Sequence, residues 1–536
     1  NSSTQTITNG IDLDGEGGLV WAKIRDTAST NHMLVDTERG TGSVLRTNFS
    51  SAEQTGTFLN SFNSDGFTLA NNFDMNGSGY DIASWTFRKA PKFFDVVTYT
   101  GDGTNGRAIS HNLGSTPGCI FIKCTAGDSR PWAVYHRGTD ATSPQNYYLQ
   151  LNETSARVSD FYRFSNTAPT DAAFTVASSN DTNGNGNTYV AYLFAHNDGD
   201  GEFGPDGDQD IIKCGSYTGN GGANTIDLGF EPQWVMIKRS SGTGFWHLFD
   251  TMRGMPSGSN NQGLTANTSN AEGEAYKVNP TATGFEIQNE TTTEVNANGS
   301  NYIYMAIRRG PLAQPKSGTE VFDVKDWRSM GSSFVQTNFP VDLSIWNYYP
   351  GTATNSVVND RLRGVGSLSQ TYSSSPFLTT SSTAAENTAS NNTRNYNNVG
   401  YDAASGDAVF WSWKRAPGFC DVVAYTGNGV AGRTVSHNLG VAPEMMWVKR
   451  RDTADNWFVY HSGMNDVDKH LRMNLSNGAT TSTTRWNSTA PASTEFTVGT
   501  DSGVNASGGT YIAYLFATVP GVSKVGSYTG NGTSQT

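Results

Sequence analysis

Tyr99-Thr100-Gly101-Asp102-Gly103 returns as Tyr217-Thr218-Gly219-Asn220-Gly221, as Tyr425-Thr426-Gly427-Asn428-Gly429 and as Tyr528-Thr529-Gly530-Asn531-Gly532. Tyr99 to Tyr217 spans 118 residues and Tyr425 to Tyr528 spans 103. The 208 residues from Tyr217 to Tyr425 hold two units, the second with a diverged opening near Trp327. The mean step of about 107 residues is the size of one β-sandwich domain.

Outward from this phrase the units share a fixed order of segments. Ser110-His111-Asn112-Leu113-Gly114 matches Ser436-His437-Asn438-Leu439-Gly440, with Asp227-Leu228-Gly229 in the same place. An apolar stretch ending in Lys23, Lys123, Lys238 or Lys449 comes next, then an aromatic one from Trp132, Trp246 or Trp457. A Phe strand (Phe67, Phe174, Phe285, Phe496) precedes a closing segment such as Tyr189 to Phe194 or Tyr511 to Phe516. In the closing segment alternate residues on both faces are apolar, so it is expected to be a central strand covered on both sides. Asn- and Gly-rich connections such as Asn183-Gly184-Asn185-Gly186 suit hairpin turns that need positive φ.

The expected fold class is all-β, a tandem array of about five β-sandwich domains of jelly-roll or immunoglobulin size. The units read 1–94 (type A), 95–209 (type B, with an acidic linker), 210–316 (type C), 317–419 (type A, diverged) and 420–524 (type B). Short connections predict a stiff string of beads. Residues 525–536 read as the opening strand of a following unit, and the first unit lacks such a strand. The two ends are therefore expected to be complementary. Either the chain is a window of a longer array, or subunits join head to tail by strand donation.

Composition agrees. Only 36% of the 536 residues are hydrophobic and 16% are charged, while Gly numbers 59 and Phe, Trp and Tyr total 61. Disordered chains are poor in aromatics, and short aromatic strands joined by Gly and Asn turns fit this mixture. A net charge of −12 lacks the basic footprint of a nucleic-acid binder. No apolar run is long enough for a membrane-spanning helix, so no membrane insertion is expected. The start at Asn1 carries no signal-peptide pattern, which suggests processing or a window. Cys119, Cys124, Cys214 and Cys420 match neither a zinc site nor a disulfide framework and are expected to be buried thiols.

No catalytic residue is expected. His136 and His461 end the aromatic segment where Asp36, Asp250 and Asp360 stand in other copies. A nucleophile or base would not exchange in this way, whereas a turn-capping residue could. His111 and His437 alternate with Asp227 in the same manner. Two acidic Gly-rich stretches offer oxygen ligands for calcium. One is Asp12 to Glu16. The other, on the long linker, carries Asp198, Asp200, Glu202, Asp206 and Asp208 and is the candidate metal site. The unusual Trp346-Asn347-Tyr348-Tyr349 supplies Trp346, Tyr348 and Tyr349 as candidate glycan-contacting rings, because aromatic faces stack on sugars.

These units, with Gly17-Gly18-Leu19-Val20-Trp21, Val35-Asp36-Thr37-Glu38-Arg39-Gly40 and Arg88-Lys89-Ala90-Pro91-Lys92-Phe93-Phe94, resemble repeat domains of large virion and tail-fibre proteins of marine tailed phages. The resemblance implies a structural component of a phage appendage, extracellular or on the virion. Its expected partners are neighbouring copies of the same repeat, as a homo-oligomer, and host-surface glycans. A bacterial adhesin or filament subunit is the alternative, and a carbohydrate-active enzyme the minor one.

Overall fold

The computed structural model describes residues 4–126, 129–255, 261–288, 290–326, 335–348, 356–363, 375–389, 394–395, 398–399 and 408–532. The chain is all-β, and the α-helices among these residues are single turns. Each repeat contributes one large antiparallel sheet in a constant order. In the second repeat Ala133–His136, Cys119–Cys124, Thr188–Phe194 and Phe94–Thr100 lie side by side. In the fifth, Cys420–Thr426, Thr510–Phe516, Met445–Arg450 and Trp457–His461 repeat that order and continue into Lys469–Arg472 and Thr480–Thr481. The closing strand is central in both, as its two apolar faces require. In the first repeat the sheet runs from Gln54–Thr55 to Ile82–Arg88, and Ile82–Arg88 is its edge.

Two properties of glycine explain the recurring phrase. A Cβ on Gly101 would lie 2.2 Å from the Gly184 carbonyl oxygen, one on Gly219 2.3 Å from that of Ala297 and one on Gly427 2.2 Å from that of Ala506. The next glycines, Gly103, Gly221 and Gly429, have φ of 73°, 69° and 72°, a region that side chains disfavour. The tyrosine before them is anchored at both ends. Tyr99, Tyr217 and Tyr425 stack on Tyr189, Tyr302 and Tyr511 at 5.0–5.2 Å. Their hydroxyls donate to the carbonyls of Thr182, Val295 and Val504.

The large sheets are apolar on both sides because each serves two cores. Along Gly18–Ile24, Val20 and Ala22 enter the core of the first sandwich, which includes Phe67 and Met75. Leu19 and Trp21 enter a different core on the other face. Along Thr510–Phe516, Tyr511, Ala513 and Leu515 face the fifth sandwich, and Ile512, Tyr514 and Phe516 face away from it. This is the two-residue period of a strand used on both sides.

The chain forms two compact units, one built mainly of the first three repeats and one mainly of the last two. In the first unit the inner faces of all three sheets meet in one core. Trp21, Leu34 and Phe87 of the first repeat join Phe121, Trp132 and Tyr192 of the second and Trp246, Met236 and Met305 of the third. The expected string of beads is thus replaced, inside this unit, by three sheets closed around a shared centre. The reason is energetic. A fully buried Trp removes about 150–250 Å² from water, worth about 4–6 kcal/mol gross, and a sandwich exposing its outer face would forgo that.

The same polar contacts recur from the first repeat to the second and from the second to the third. Trp132 Nε1 donates to the Arg46 carbonyl at 2.9 Å, and Trp246 Nε1 to the Gln150 carbonyl at 2.9 Å. Main-chain pairs Glu53–Thr125 and Arg157–Ser240 lie beside them. The ring closes from the third repeat to the first, where Glu272 N donates to the Arg25 carbonyl at 2.6 Å and Arg25 Nε to Glu272 Oε2 at 2.9 Å. In the second unit the fourth and fifth repeats form one such junction, with Trp457 Nε1 donating to the Thr379 carbonyl at 2.8 Å and Glu386 N to that of Arg451 at 2.7 Å.

Tyr192 bridges the first junction, its hydroxyl donating to Asp36 Oδ2 at 2.7 Å and accepting from Arg39 at 3.0 Å. Tyr192→Phe keeps the ring and removes both bonds in a buried place. Urea denaturation should show a loss of about 1–3 kcal/mol, and a loss under about 0.5 kcal/mol would show that these two bonds do not hold the junction.

Candidate functional site

The residues best suited to chemistry gather at the junctions between repeats. His136 Nδ1 accepts from Gly138 N at 3.0 Å, which places the proton on Nε2, and Nε2 donates to the Tyr304 carbonyl of the third repeat at 3.0 Å. Asp36, in the equivalent place, accepts from Arg39 N at 2.9 Å and from the Tyr192 hydroxyl. Asp250 accepts from Trp85 Nε1 at 3.1 Å, and Asp360 from the Tyr514 hydroxyl at 2.6 Å. The exchange of His for Asp follows the partner. An acidic oxygen stands where the next repeat presents a donor, and a ring N–H where it presents a carbonyl. Burial pushes the His136 imidazole down to about 3. His111 and His437 take the same turn-capping role in another turn, accepting from Leu113 N and Leu439 N as Asp227 does from Gly229 N.

Three lysines follow the same logic, and a fourth is satisfied within its own repeat. Lys123, Lys238 and Lys449 donate to the Ser50, Thr154 and Thr383 carbonyls of the preceding repeat, and Lys23 donates to the Ile24 carbonyl and Thr30 Oγ1. All four are fully buried, and burial pulls each ammonium down to about 8. Such a lysine could serve as a base in an open cleft; here carbonyls surround it.

The linker carboxylates do not converge on a metal site. Asp200 Oδ1 accepts from Asp198 N, Asp198 pairs with Lys213 at 3.3 Å, and Glu202 pairs with Lys92 at 2.8 Å. Asp206 and Asp208 are exposed. Asp210 holds the loop by accepting from Gly199 N and Gly201 N. Among the described residues no group of three His, Cys, Asp or Glu side chains could hold a metal ion. In the shorter stretch Asp12 Oδ1 accepts from Gly15 N. The four cysteines are buried free thiols.

Trp346 is corrected from a glycan-facing ring to a core residue. It is 6% exposed, stacks on Phe410 at 6.0 Å and donates through Nε1 to Asn359. Tyr348 continues the same strand, paired in register with Ala408, and Tyr349 lies outside the described residues. The sequence reading missed the aromatic pairs that do face solvent. Phe161 and Tyr162 are 41% and 57% exposed, with ring centroids 5.6 Å apart, on a single helical turn capped by Asp160. Phe73, on a turn capped by Asn72, meets Tyr80 at 5.3 Å. The signal was a capping residue followed by adjacent rings with no apolar partner at strand spacing. A polar cleft of about 850 Å³ in the first unit is lined by Lys92, Arg137, Asp140, Asp198, Asp200 and Ser115. Ser115 Oγ is buried without a hydrogen-bond partner among the described residues.

A family model described as a domain of unknown function, DUF7483, matches residues 1–311 and 325–536. The chain belongs to the DUF7483 family. No curated protein and no solved structure matches it. The break between the two matched stretches of this DUF7483 chain falls at the boundary between the third and fourth repeats. Among the described residues no helix is long and apolar enough to cross a membrane.

The depressed His136 gives a pH dependence with a definite sign. Between about 3 and the ordinary 6.5 the unfolded chain binds a proton that the native one excludes, so stability falls as pH drops through that window, by up to about 1.4 kcal/mol per pH unit. His136→Asn should be less stable than the parent at pH 7, and the gap should narrow on acidification towards pH 4. Urea midpoints measured from pH 7 to pH 4 check this, and a constant gap would contradict it.

Proposed function

We propose that this chain is a repeat-built structural component of a phage appendage, extracellular or on the virion, that makes contact with host-surface glycans. The observation that carries the structural part is the destination of the reactive side chains. Lys123, Lys238 and Lys449, Trp132, Trp246 and Trp457, His136 and the aspartates at its place are taken up in bonds that tie one repeat to the next. An assembly made of such junctions resists opening of any single repeat, which suits a load-bearing part. The phage setting rests on the likeness of the repeats to marine tailed-phage virion proteins. The glycan contact is supported by the exposed pairs Phe161–Tyr162 and Phe73–Tyr80, since exposed rings stack on pyranose faces and neighbouring Asn and Asp bond hydroxyls.

Two measurements test this reading. Gold-labelled antibody against the chain should decorate an appendage of gradient-purified particles; label confined to the surface of uninfected bacteria would favour the adhesin. Host-surface polysaccharide fragments should bind the purified chain, and Tyr162→Ala or Phe73→Ala should weaken binding about tenfold, some 1.4 kcal/mol, with the melting temperature unchanged. Binding that ignores both substitutions removes these rings from the glycan contact.

A further inference from the structure

The second unit repeats the arrangement of the first two repeats, but the inner face that would meet a third is only partly buried at its described residues. In the first unit the third repeat covers the inner faces of the other two: Trp234 meets Phe87 at 6.1 Å and Trp246 meets Phe121 at 6.5 Å. Trp21, Phe87, Cys119 and Phe121 are consequently buried. Strand register places Ile345, Trp413, Met445 and Trp447 at the corresponding positions of the fourth and fifth repeats. All four are only partly buried. His461 matches His136 and likewise accepts through Nδ1 from the main chain, Gly463 N, at 3.0 Å. Its Nε2, the group that in His136 donates to the third repeat, has no hydrogen-bond partner among the described residues.

The residues after Thr518 resemble the start of the third repeat. Val525-Gly526-Ser527-Tyr528-Thr529-Gly530-Asn531-Gly532 differs from Cys214-Gly215-Ser216-Tyr217-Thr218-Gly219-Asn220-Gly221 only in its first residue. It also sits where that strand sits. Val525 N donates to Thr518 Oγ1 at 3.1 Å, as Cys214 N donates to His196 Nδ1 at 3.2 Å. A Cβ on Gly463 would meet Ser527, and one on Gly138 would meet Gly215 and Ser216. Beyond this start the likeness of conformation stops. Tyr217 is stacked and bonded in a strand, whereas Tyr528 is 88% exposed, and a Cβ on Gly530 would meet nothing within 4 Å.

We propose that the inner face made by Ile345, Trp413, Met445, Trp447 and His461 is a docking surface for a further repeat of type C, and that Val525 to Thr529 is that repeat's opening strand. The occupant is a sheet that accepts this strand at its edge. It carries a tryptophan in the place of Trp246, whose indole N–H reaches the Arg472 carbonyl as Trp246 reaches that of Gln150. It also presents a main-chain carbonyl to His461 Nε2. Arg472 matches Gln150 because Val459 pairs with Leu471 as Val134 pairs with Leu149.

The test extends the whole chain after Gly530 with a copy of its own residues 220–309, in parallel with the unextended chain. Met445→Cys in both proteins reports coverage of the face through its rate of thiol labelling, the native cysteines being buried. Hydrogen exchange of Val525 to Thr529 reports strand formation. The extension should slow labelling and exchange by about tenfold or more, as expected when exposure requires local opening, and the protein should stay monomeric. Equal labelling in the two proteins overturns the proposal, as does an added segment digested by protease while the second unit stays folded. Concentration-dependent protection of Met445→Cys in the unextended chain also overturns it, by assigning the face to a second copy.

Discussion

The structure depends on one constraint, that every large sheet has two hydrophobic faces and must cover both. One face is covered locally, by the small sheet and loops of the same repeat. The other is covered by another repeat, and in the first unit this turns three sandwiches into a closed set. The apolar contact supplies the larger share of the free energy, because a buried indole outweighs a single hydrogen bond several-fold. The polar contacts decide the arrangement. An indole N–H or an ammonium buried without an acceptor is expensive, so Trp132 and Lys123 fit only where the preceding repeat offers the carbonyls of Arg46 and Ser50.

This division of labour explains why the repeats tolerate drift in some places and not in others. The phrase around Tyr99 recurs because its hydroxyl, its stacking partner and two glycines form one lock whose parts cannot change separately. The position of His136 varies because its requirement is complementarity with a neighbour, and the neighbours differ. Position 36 faces a hydroxyl and position 136 a carbonyl.

Much of this was legible in the sequence. The all-β class, the repeat order and the central closing strand followed from the period and from the alternation in Tyr189 to Phe194. The His-to-Asp exchange pointed to capping, which His136 and Asp36 do perform. The shared core was not legible, since alternation shows that both faces of a strand are buried and says nothing about what covers the second. Trp346 was misplaced because Asn347 and two tyrosines gave its neighbourhood a surface-like composition, yet its strand puts it opposite Phe410. The linker carboxylates misled for a chemical reason. A loop that holds calcium and a loop that holds its own amides use the same residues, and Asp200 and Asp210 do the latter.

The heterotypic junctions also set a counting rule for how such a gene can change length. Recombination between similar repeats is the easy route to longer or shorter forms. Deleting one repeat would bring together mismatched neighbours, for example Asp36 against a repeat that presents a carbonyl, and would leave a buried carboxylate facing a lone pair. Deleting or adding three returns every donor to its acceptor. Internal deletions or insertions that keep these contacts should therefore come in whole triplets, about 320 residues at a time by the domain-size period, and the register of the array would be inherited as a frame much as codons are.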